Sequence, residues 1–165
     1  MNSDFPVERL QPSLLNRLKS DETSSGNGSK DSVWTMKPLR TALLEDLELL
    51  FNSTAKNASH EIYEYELAAK SVYNFGLPGL AGVFDFRYHP EAVAAMLHDA
   101  IEAFEPRVVP GSLTVTAQAD DNGTGELRME ISCNFCPLPT AESLFVHAVL
   151  DMESGGVKIL GRFDE

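Results

Sequence analysis

The sequence has few basic residues for a chain of 165 residues. Thirteen Lys and Arg residues stand against twenty-five Asp and Glu residues, so the formal net charge at pH 7 is -12. A surface of that charge repels the phosphate backbone of nucleic acids and the anionic surface of a membrane. The composition therefore argues against a nucleic-acid partner.

Long apolar runs are also missing. No stretch approaches the roughly 20 consecutive apolar residues that a membrane helix requires. The first residues, MNSDFPVERL, include acidic side chains and lack the apolar core of a secretory signal. We therefore expect no direct insertion into a membrane and a cytoplasmic location.

Cysteine is scarce, and the two thiols present form no recognisable redox or metal motif. Cys133 and Cys136 lie in a strand-like alternation, which places them about 10 Å apart and on opposite faces, too far for a disulfide. A second Cys-x-x-Cys pair, which a zinc site would use, does not occur. The histidines share no spacing typical of metal ligands: His60, His89, His98 and His147. We expect reduced thiols, no metal and no cofactor.

Motifs for small-molecule chemistry are missing as well. The glycines that follow Leu77 are not succeeded by the Gly-Lys-Ser/Thr of a phosphate-binding loop. The Gly-x-Ser-x-Gly turn that carries a nucleophilic serine does not occur either. We therefore expect no small-molecule substrate.

Three segments of the chain differ in composition. Residues 1–20 contain an apolar stripe typical of a short amphipathic helix, formed by Leu10, Leu14, Leu15 and Leu18. Residues 21–32, DETSSGNGSKDS, contain only polar residues and glycine, which predicts a flexible linker. Residues 33–165 are then one domain, since a hydrophobic content of 43% supports a single core. The pattern leaves open whether the first helix binds its own domain or a partner.

Helical periodicity dominates the first half of this domain. A helix is predicted from about Pro38 to Phe51, with Leu39, Leu43, Leu47 and Leu50 on one face and Arg40, Glu45, Asp46 and Glu48 mainly outside. A short helix is predicted to end near Gly76. The clearest helix begins at Pro90 and ends before Pro106, with an apolar stripe of Val93, Met96, Leu97, Ala100, Ile101 and Phe104.

The period then changes from that of a helix to that of a strand. Apolar and polar residues alternate in 113–119 and again in 127–135. A third strand is predicted over 143–151 and a short fourth one over 157–160. Helices followed by an antiparallel meander are typical of an α+β domain of two layers, with the helices packed on a mostly antiparallel sheet of about four strands.

The boundary between the two halves carries the sequence Glu105-Pro106-Arg107. Glu105 could be a catalytic acid paired with Asp85 or Asp99, as in a glycosidase, but a chain with many acids always offers such pairs. Glu105 and Arg107 could instead form an ion pair across the turn. They could also form a protein interface, in which Arg107 presents its planar guanidinium to a neighbouring chain and Glu105 orients it. The residues alone leave the last two readings about even.

A series of motifs, in order over roughly residues 8 to 160, resembles a known family. The motifs are PSLLNRL, LRTALLEDLELLFNST, SVYNFGLPGLAG, AIEAFEPRV followed by SLTV, and LFVHAVLDMESGGVKI. Together they are similar to TssE, the baseplate wedge subunit of the bacterial type VI secretion system, which is related to the wedge protein of contractile-phage baseplates. The family is often labelled lysozyme-like.

The resemblance implies a structural protein rather than an enzyme, with Glu105, Pro106 and Arg107 as its signature and interface. It implies contacts with the wedge proteins TssF, TssG and TssK and with the sheath proteins TssB and TssC, at a complex anchored in the inner membrane. The alternatives are a peptidoglycan-cleaving enzyme and the equivalent protein of a phage tail or other contractile injection system. Two departures from the family stand out: Gly79 replaces an acid that many relatives carry, and 21–32 is a long polar insert.

Overall fold

A computed structural model of the chain describes residues 36–56, 64–80, 89–119, 125–135 and 142–160. The predicted N-terminal helix in residues 1–20 and the predicted linker over 21–32 lie outside these ranges. So do Asp85 and Cys136. The division of the chain into three segments therefore stays a prediction.

Helix α1 spans Met36–Phe51 and buries the predicted leucine stripe. Leu43 is fully buried, and Leu39, Leu47 and Leu50 are each 2% exposed. Residues spaced three and four apart lie on one side of a helix, so this stripe faces the core while Glu45 and Glu48 face solvent. The prediction for this helix is confirmed.

The segment after α1 contains two short helical pieces where one was predicted. Helix α2 spans Glu66–Ala69, and a 3-10 helix spans Val72–Asn74. Ser71 separates them, because its hydroxyl donates a hydrogen bond to the Ala68 carbonyl at 2.8 Å and accepts one from the Tyr73 N–H at 3.3 Å. A serine that caps the next helical turn in this way ends the preceding one.

Gly76 lets the chain cross the end of α1. Its φ angle is +119°, a conformation that residues with a Cβ rarely adopt. The crossing is held by two backbone hydrogen bonds of 2.8 Å, from the Leu77 N–H to the Ser53 carbonyl and from the Ala55 N–H to the Leu77 carbonyl. The position of this loop therefore depends on a close approach between two backbones.

Helix α3 spans Pro90–Phe104, with Pro90 in its first turn as predicted. Its core face consists of Val93, Ala94, Leu97, Ala100 and Ile101. The helix ends at Phe104 because Glu105, which precedes a proline, has φ -115° and ψ 86°. The Phe104 ring packs edge to face on Phe75 with the centroids 5.4 Å apart, so the end of α3 contacts the segment before Gly76.

Four strands form an antiparallel sheet in the order β1-β2-β3-β4. They span Thr114–Ala119, Glu126–Phe135, Glu142–Asp151 and Val157–Ile159. One face packs on the helices and is formed mainly by Leu127, Met129, Ile131, Cys133, Phe135, Leu144, Val146, Ala148 and Leu150. The other face is largely polar and accessible. The prediction of a two-layer α+β fold with about four antiparallel strands is confirmed.

The two edge strands of this sheet are not equivalent. Along β4, the backbone groups of successive residues point alternately toward β3 and away from it. The backbone N–H and carbonyl of Val157 point away from β3. The Asn52 side chain satisfies both groups: its Oδ1 accepts a hydrogen bond from the Val157 N–H at 2.9 Å, and its Nδ2 donates to the Val157 carbonyl at 2.9 Å. Asn52 thus closes the β4 edge at this position.

On β1 the same alternation directs the backbone groups of every second residue away from β2. Asn134 of β2 directs its backbone toward the β1 side, because its carbonyl accepts from the Val109 N–H at 2.8 Å and its N–H donates to the Ser112 hydroxyl at 3.0 Å. Ser112 lies an even number of positions before Thr114, Thr116 and Gln118, whose backbone groups therefore point toward β2. The N–H groups of Val115 and Ala117 therefore point away from β2, to a side of the sheet on which the described residues place no further strand.

We predict that Asn52→Asp destabilises the domain by about 1–2 kcal/mol, because a carboxylate keeps the acceptor but loses the donor to the Val157 and Glu48 carbonyls. Urea unfolding should show this loss, although the Val157 N–H keeps an acceptor in the variant. Ser53→Ala is the control, since the Ser53 hydroxyl donates only to the exposed Leu49 carbonyl. Equal unfolding free energies of the wild type and Asn52→Asp would contradict the assigned contact.

Candidate protein-interaction site

The Glu105-Pro106-Arg107 segment forms a tight turn at the end of α3. The Val108 N–H donates to the Glu105 carbonyl at 3.2 Å, which places Pro106 and Arg107 at the two central positions. Proline suits the first of these because its φ angle is fixed. The turn carries the chain from the helical layer to the sheet, where Val108 forms an isolated bridge with Phe135.

Inside this turn the Glu105 carboxylate is buried, at 6% exposure, and binds Arg107 through both of its oxygens. Glu105 Oε1 accepts hydrogen bonds from Arg107 Nε at 2.6 Å and from the Arg107 backbone N–H at 3.1 Å. Glu105 Oε2 accepts from Arg107 Nη2 at 2.5 Å. This is a two-pronged carboxylate–guanidinium pair, the strongest common geometry for such groups.

A third charged residue completes the cluster. Asp46 of α1 accepts a hydrogen bond from Arg107 Nη2 through Oδ2 at 2.7 Å, and the side chains of Asp46 and Arg107 are each 22% exposed. We call Asp46, Glu105 and Arg107 the clasp, because they join α1, the end of α3 and the turn into the sheet. The sequence placed Asp46 mainly outside, and the only hint of its role was its position directly before the buried Leu47.

The electrostatics of the clasp favour the charged forms. Burial lowers the pKa of Arg107, but the hydrogen bonds and charges of Glu105 and then Asp46 outweigh it, so its pKa is raised overall. Burial raises the pKa of the neighbouring Cys133 thiol to about 11, and the Glu105 charge acts in the same direction. Cys133 is a free thiol in this structure. It is therefore protonated at neutral pH and a poor nucleophile.

The geometry offers little for the catalytic reading of Glu105. Both oxygens accept hydrogen bonds from Arg107, so neither is free to pass a proton to a bound sugar. Of the two suggested partners, Asp99 has an 84% exposed side chain and Asp85 lies outside the described residues. Within the described ranges, no group of three or more His, Cys, Asp or Glu residues is placed to hold a metal ion.

The clasp, the turn and the two helices that carry them lie within one stretch that matches a protein family. The sequence model of baseplate wedge protein gp25 matches residues 37–136, more than half of the chain. The chain belongs to the gp25 baseplate wedge protein family. This confirms, at the level of the family, the resemblance drawn from the motifs.

The wedge-family match extends from α1 through the end of β2. It includes Asp46, Glu105 and Arg107. Strands β3 and β4 follow it and complete the same sheet. Searches of the curated proteins and of the solved structures found no significant match.

Membership of this family gives the protein a structural role in a phage-like baseplate. Of the helices in the described part of the chain, none is both long and apolar enough to cross a membrane. Glu105, Pro106 and Arg107 lie together, as the sequence predicted, but Nε and Nη2 of Arg107 already bind Glu105 and Asp46 of the same chain. The buried Nη1 has no partner among the described residues. Their role as an interface stays a prediction.

Proposed function

We propose that this protein is the wedge subunit of a type VI secretion baseplate, that it connects the wedge to the first ring of the contractile sheath, and that it has no enzymatic activity. The observation that carries the proposal is the family match over residues 37–136, which contains the whole clasp. The motif series that resembles TssE gives the more specific assignment. In this role the protein acts in the cytoplasm, at a complex anchored in the inner membrane.

Exposed apolar side chains support an assembly role. On the short segment of α2 and the 3-10 helix, Leu67 is 89% exposed and Val72 is 87% exposed, and Tyr65 and Tyr73 are also exposed. A soluble monomer gains nothing from such a group of side chains, whereas a subunit buries them against a partner. The wedge proteins TssF, TssG and TssK are the partners that we propose for this side.

The outer edge of β1 is suited to bind a strand of a sheath subunit. An extended segment of a TssB or TssC subunit that pairs with the outward N–H of Val115 and Ala117 would continue the sheet by one strand. The β4 edge is less suitable because Asn52 already occupies the Val157 backbone. The proposed attachment point is therefore β1.

The variant Ala117→Pro tests this attachment. Proline removes the outward N–H of an edge residue while the hydrogen bonds between β1 and β2, made by the alternate residues, can remain. We expect a folded protein that still co-purifies with the wedge proteins but assembles sheath poorly from TssB and TssC. Ala117→Ser, which keeps the N–H, is the control. Normal sheath assembly by folded Ala117→Pro would exclude strand addition at β1.

A second variant tests the Glu-Pro-Arg interface. Arg107→Lys keeps the positive charge but loses the planar fork. If Arg107 also contacts a wedge partner, co-purification should fall by about tenfold to a hundredfold, the equivalent of one lost charged hydrogen bond. Ile131→Val serves as the matched control, because it costs a similar modest amount of stability, about 0.5–1.5 kcal/mol, inside the core. Equal losses in both variants would assign the effect to stability and reject the interface.

The enzyme alternative predicts a different result. As a muramidase, the purified protein would release soluble fragments from peptidoglycan, and Glu105→Gln would stop the release. We expect a flat turbidity trace with the folded wild-type protein. A phage tail or another contractile device would retain the same subunit contacts, and the genes adjacent to this one would separate it from secretion.

A further inference from the structure

A groove separate from the clasp lies between α2, the 3-10 helix and α3. It encloses about 790 Å³. Its floor is apolar and built largely on α3, from Met96, Ala100, Ala103 and Phe104. The floor residues follow helical spacing, so they form a continuous strip along one side of α3.

The rim of this groove is acidic. Glu66, Asp99 and Glu102 line it together with one cation, Lys70. Lys70 is bound to Glu66, with Nζ 2.9 Å from Oε1, and Asp99 Oδ1 lies 3.5 Å from His98 Nδ1. Three carboxylates against one lysine leave the lining of the groove with a net negative charge. An occupant with apolar side chains toward the floor and basic side chains at the edges would complement this surface.

One buried group of the groove also lacks a partner. Asn74 is 7% exposed and lines the groove. Its Nδ2 donates to the Ala69 carbonyl at 3.0 Å, but no donor reaches its Oδ1 within the described part of the chain. A buried acceptor without a donor costs stability, so the wall of the groove is less stable at this point.

The chain itself contains a segment of the required chemistry. Residues 9–19, RLQPSLLNRLK, carry Arg9, Arg17 and Lys19 and no acidic residue, and no other stretch of eleven residues combines three basic residues with no acid. The same segment contains the leucine stripe. In a chain of net charge -12, this stretch is the part best matched to an acidic, apolar groove, whereas a second copy of the domain would bring like charge to it.

The segment is also within reach. Seventeen residues separate Leu18 from Met36. A flexible linker of that length has an average end-to-end distance of about 23 Å. A domain of this size has a radius of gyration of about 14 Å. Tethering at this range gives an effective concentration on the order of 1 mM, so even a weak intrinsic affinity produces substantial occupancy.

We propose that residues 9–19 bind in the groove between α2 and α3. Leu14, Leu15 and Leu18 pack on the α3 floor, and Arg17 and Lys19 lie at the acidic rim. This inference does not rest on the proposed function, because it concerns the isolated protein, although the groove adjoins the exposed side chains of α2 and the 3-10 helix. It answers the question that the leucine pattern leaves open, in favour of the protein's own domain.

Zero-length carbodiimide cross-linking of the full-length protein at low concentration tests the contact. This reagent joins an amine to a carboxylate only where the two meet, so Lys19 should link to Glu66, Asp99 or Glu102, as identified by mass spectrometry of the peptides. The yield should fall at least about fivefold in the double variant Leu14→Asp/Leu18→Asp, because two charges would face the apolar floor. It should also fall as the salt concentration rises.

Two controls make the result specific. Leu49→Asp introduces the same change at an exposed leucine of α1 and should leave the yield unchanged. A mixture of ¹⁴N- and ¹⁵N-labelled protein separates links within one molecule from links between molecules. Links of Lys19 that spread evenly over carboxylates such as Glu130 and Glu153, that persist in the double variant, or that occur only between molecules would each overturn the proposal.

Discussion

Gly76→Ala is expected to destabilise the domain by about 3–5 kcal/mol. The φ angle of +119° strains any residue with a Cβ, which costs about 1–3 kcal/mol. A Cβ at this position would also lie 2.3 Å from the Ser53 carbonyl oxygen, and that atom is backbone held in a hydrogen bond to Leu77. The two costs add, because relief of the contact requires the loop to leave the end of α1.

Two other glycines provide matched controls for this prediction. Gly111 also has a positive φ, +77°, but an added Cβ would meet open space, so Gly111→Ala should cost about 1–2 kcal/mol. Gly79 has neither feature, and Gly79→Ala should change stability by less than about 0.5 kcal/mol. Urea unfolding followed by circular dichroism gives all three values. A loss at Gly76 no larger than at Gly79 would contradict the close approach seen here.

Glu105→Gln is expected to cost about 2–4 kcal/mol. The glutamine has nearly the same shape, but it removes the negative charge that neutralises a guanidinium of which only 22% is exposed. It also turns an amide donor toward Arg107, where two acceptors stood. Loss of one partner of a buried ion pair costs about 3–5 kcal/mol, and the remaining contact with Asp46 reduces that figure here.

The same substitution at an exposed ion pair is the control for the clasp. Glu66 binds Lys70 at a similar distance, but both side chains are largely in solvent, and Glu66→Gln should shift the urea midpoint far less than Glu105→Gln. The double variant Glu105→Gln/Arg107→Met should be less destabilised than the sum of its single variants, since it leaves no unpaired guanidinium. Additive effects would mean that Glu105 and Arg107 stabilise the fold independently.

The elements that the sequence predicted well are those whose signal is local. Leucines at helical spacing in α1, the stripe of α3 and the alternation in β2 each fix one face of an element, and burial follows from that face. The meeting of Glu105 with Arg107 was also predictable, because a proline turn holds residues two apart close together.

The remaining contacts could not be predicted because their partners lie far away in sequence. Asp46 is 61 residues from Arg107, and a charged residue at the edge of an apolar stripe usually faces solvent. Asn52 follows directly after α1, and nothing in the sequence around it indicates a contact with a strand 105 residues later. The split of the predicted short helix depended on Ser71, whose hydroxyl competes with the backbone for hydrogen bonds.

The Asn52–Val157 contact has a consequence for how the protein is made. During synthesis, α1 emerges first and waits for the 105 residues that separate it from its partner on β4. At about 5–20 residues per second, that interval is on the order of 5–20 s. For this time the leucine stripe of α1 lacks the sheet that finally covers it, so these leucines stay exposed to other apolar surfaces until synthesis is nearly complete.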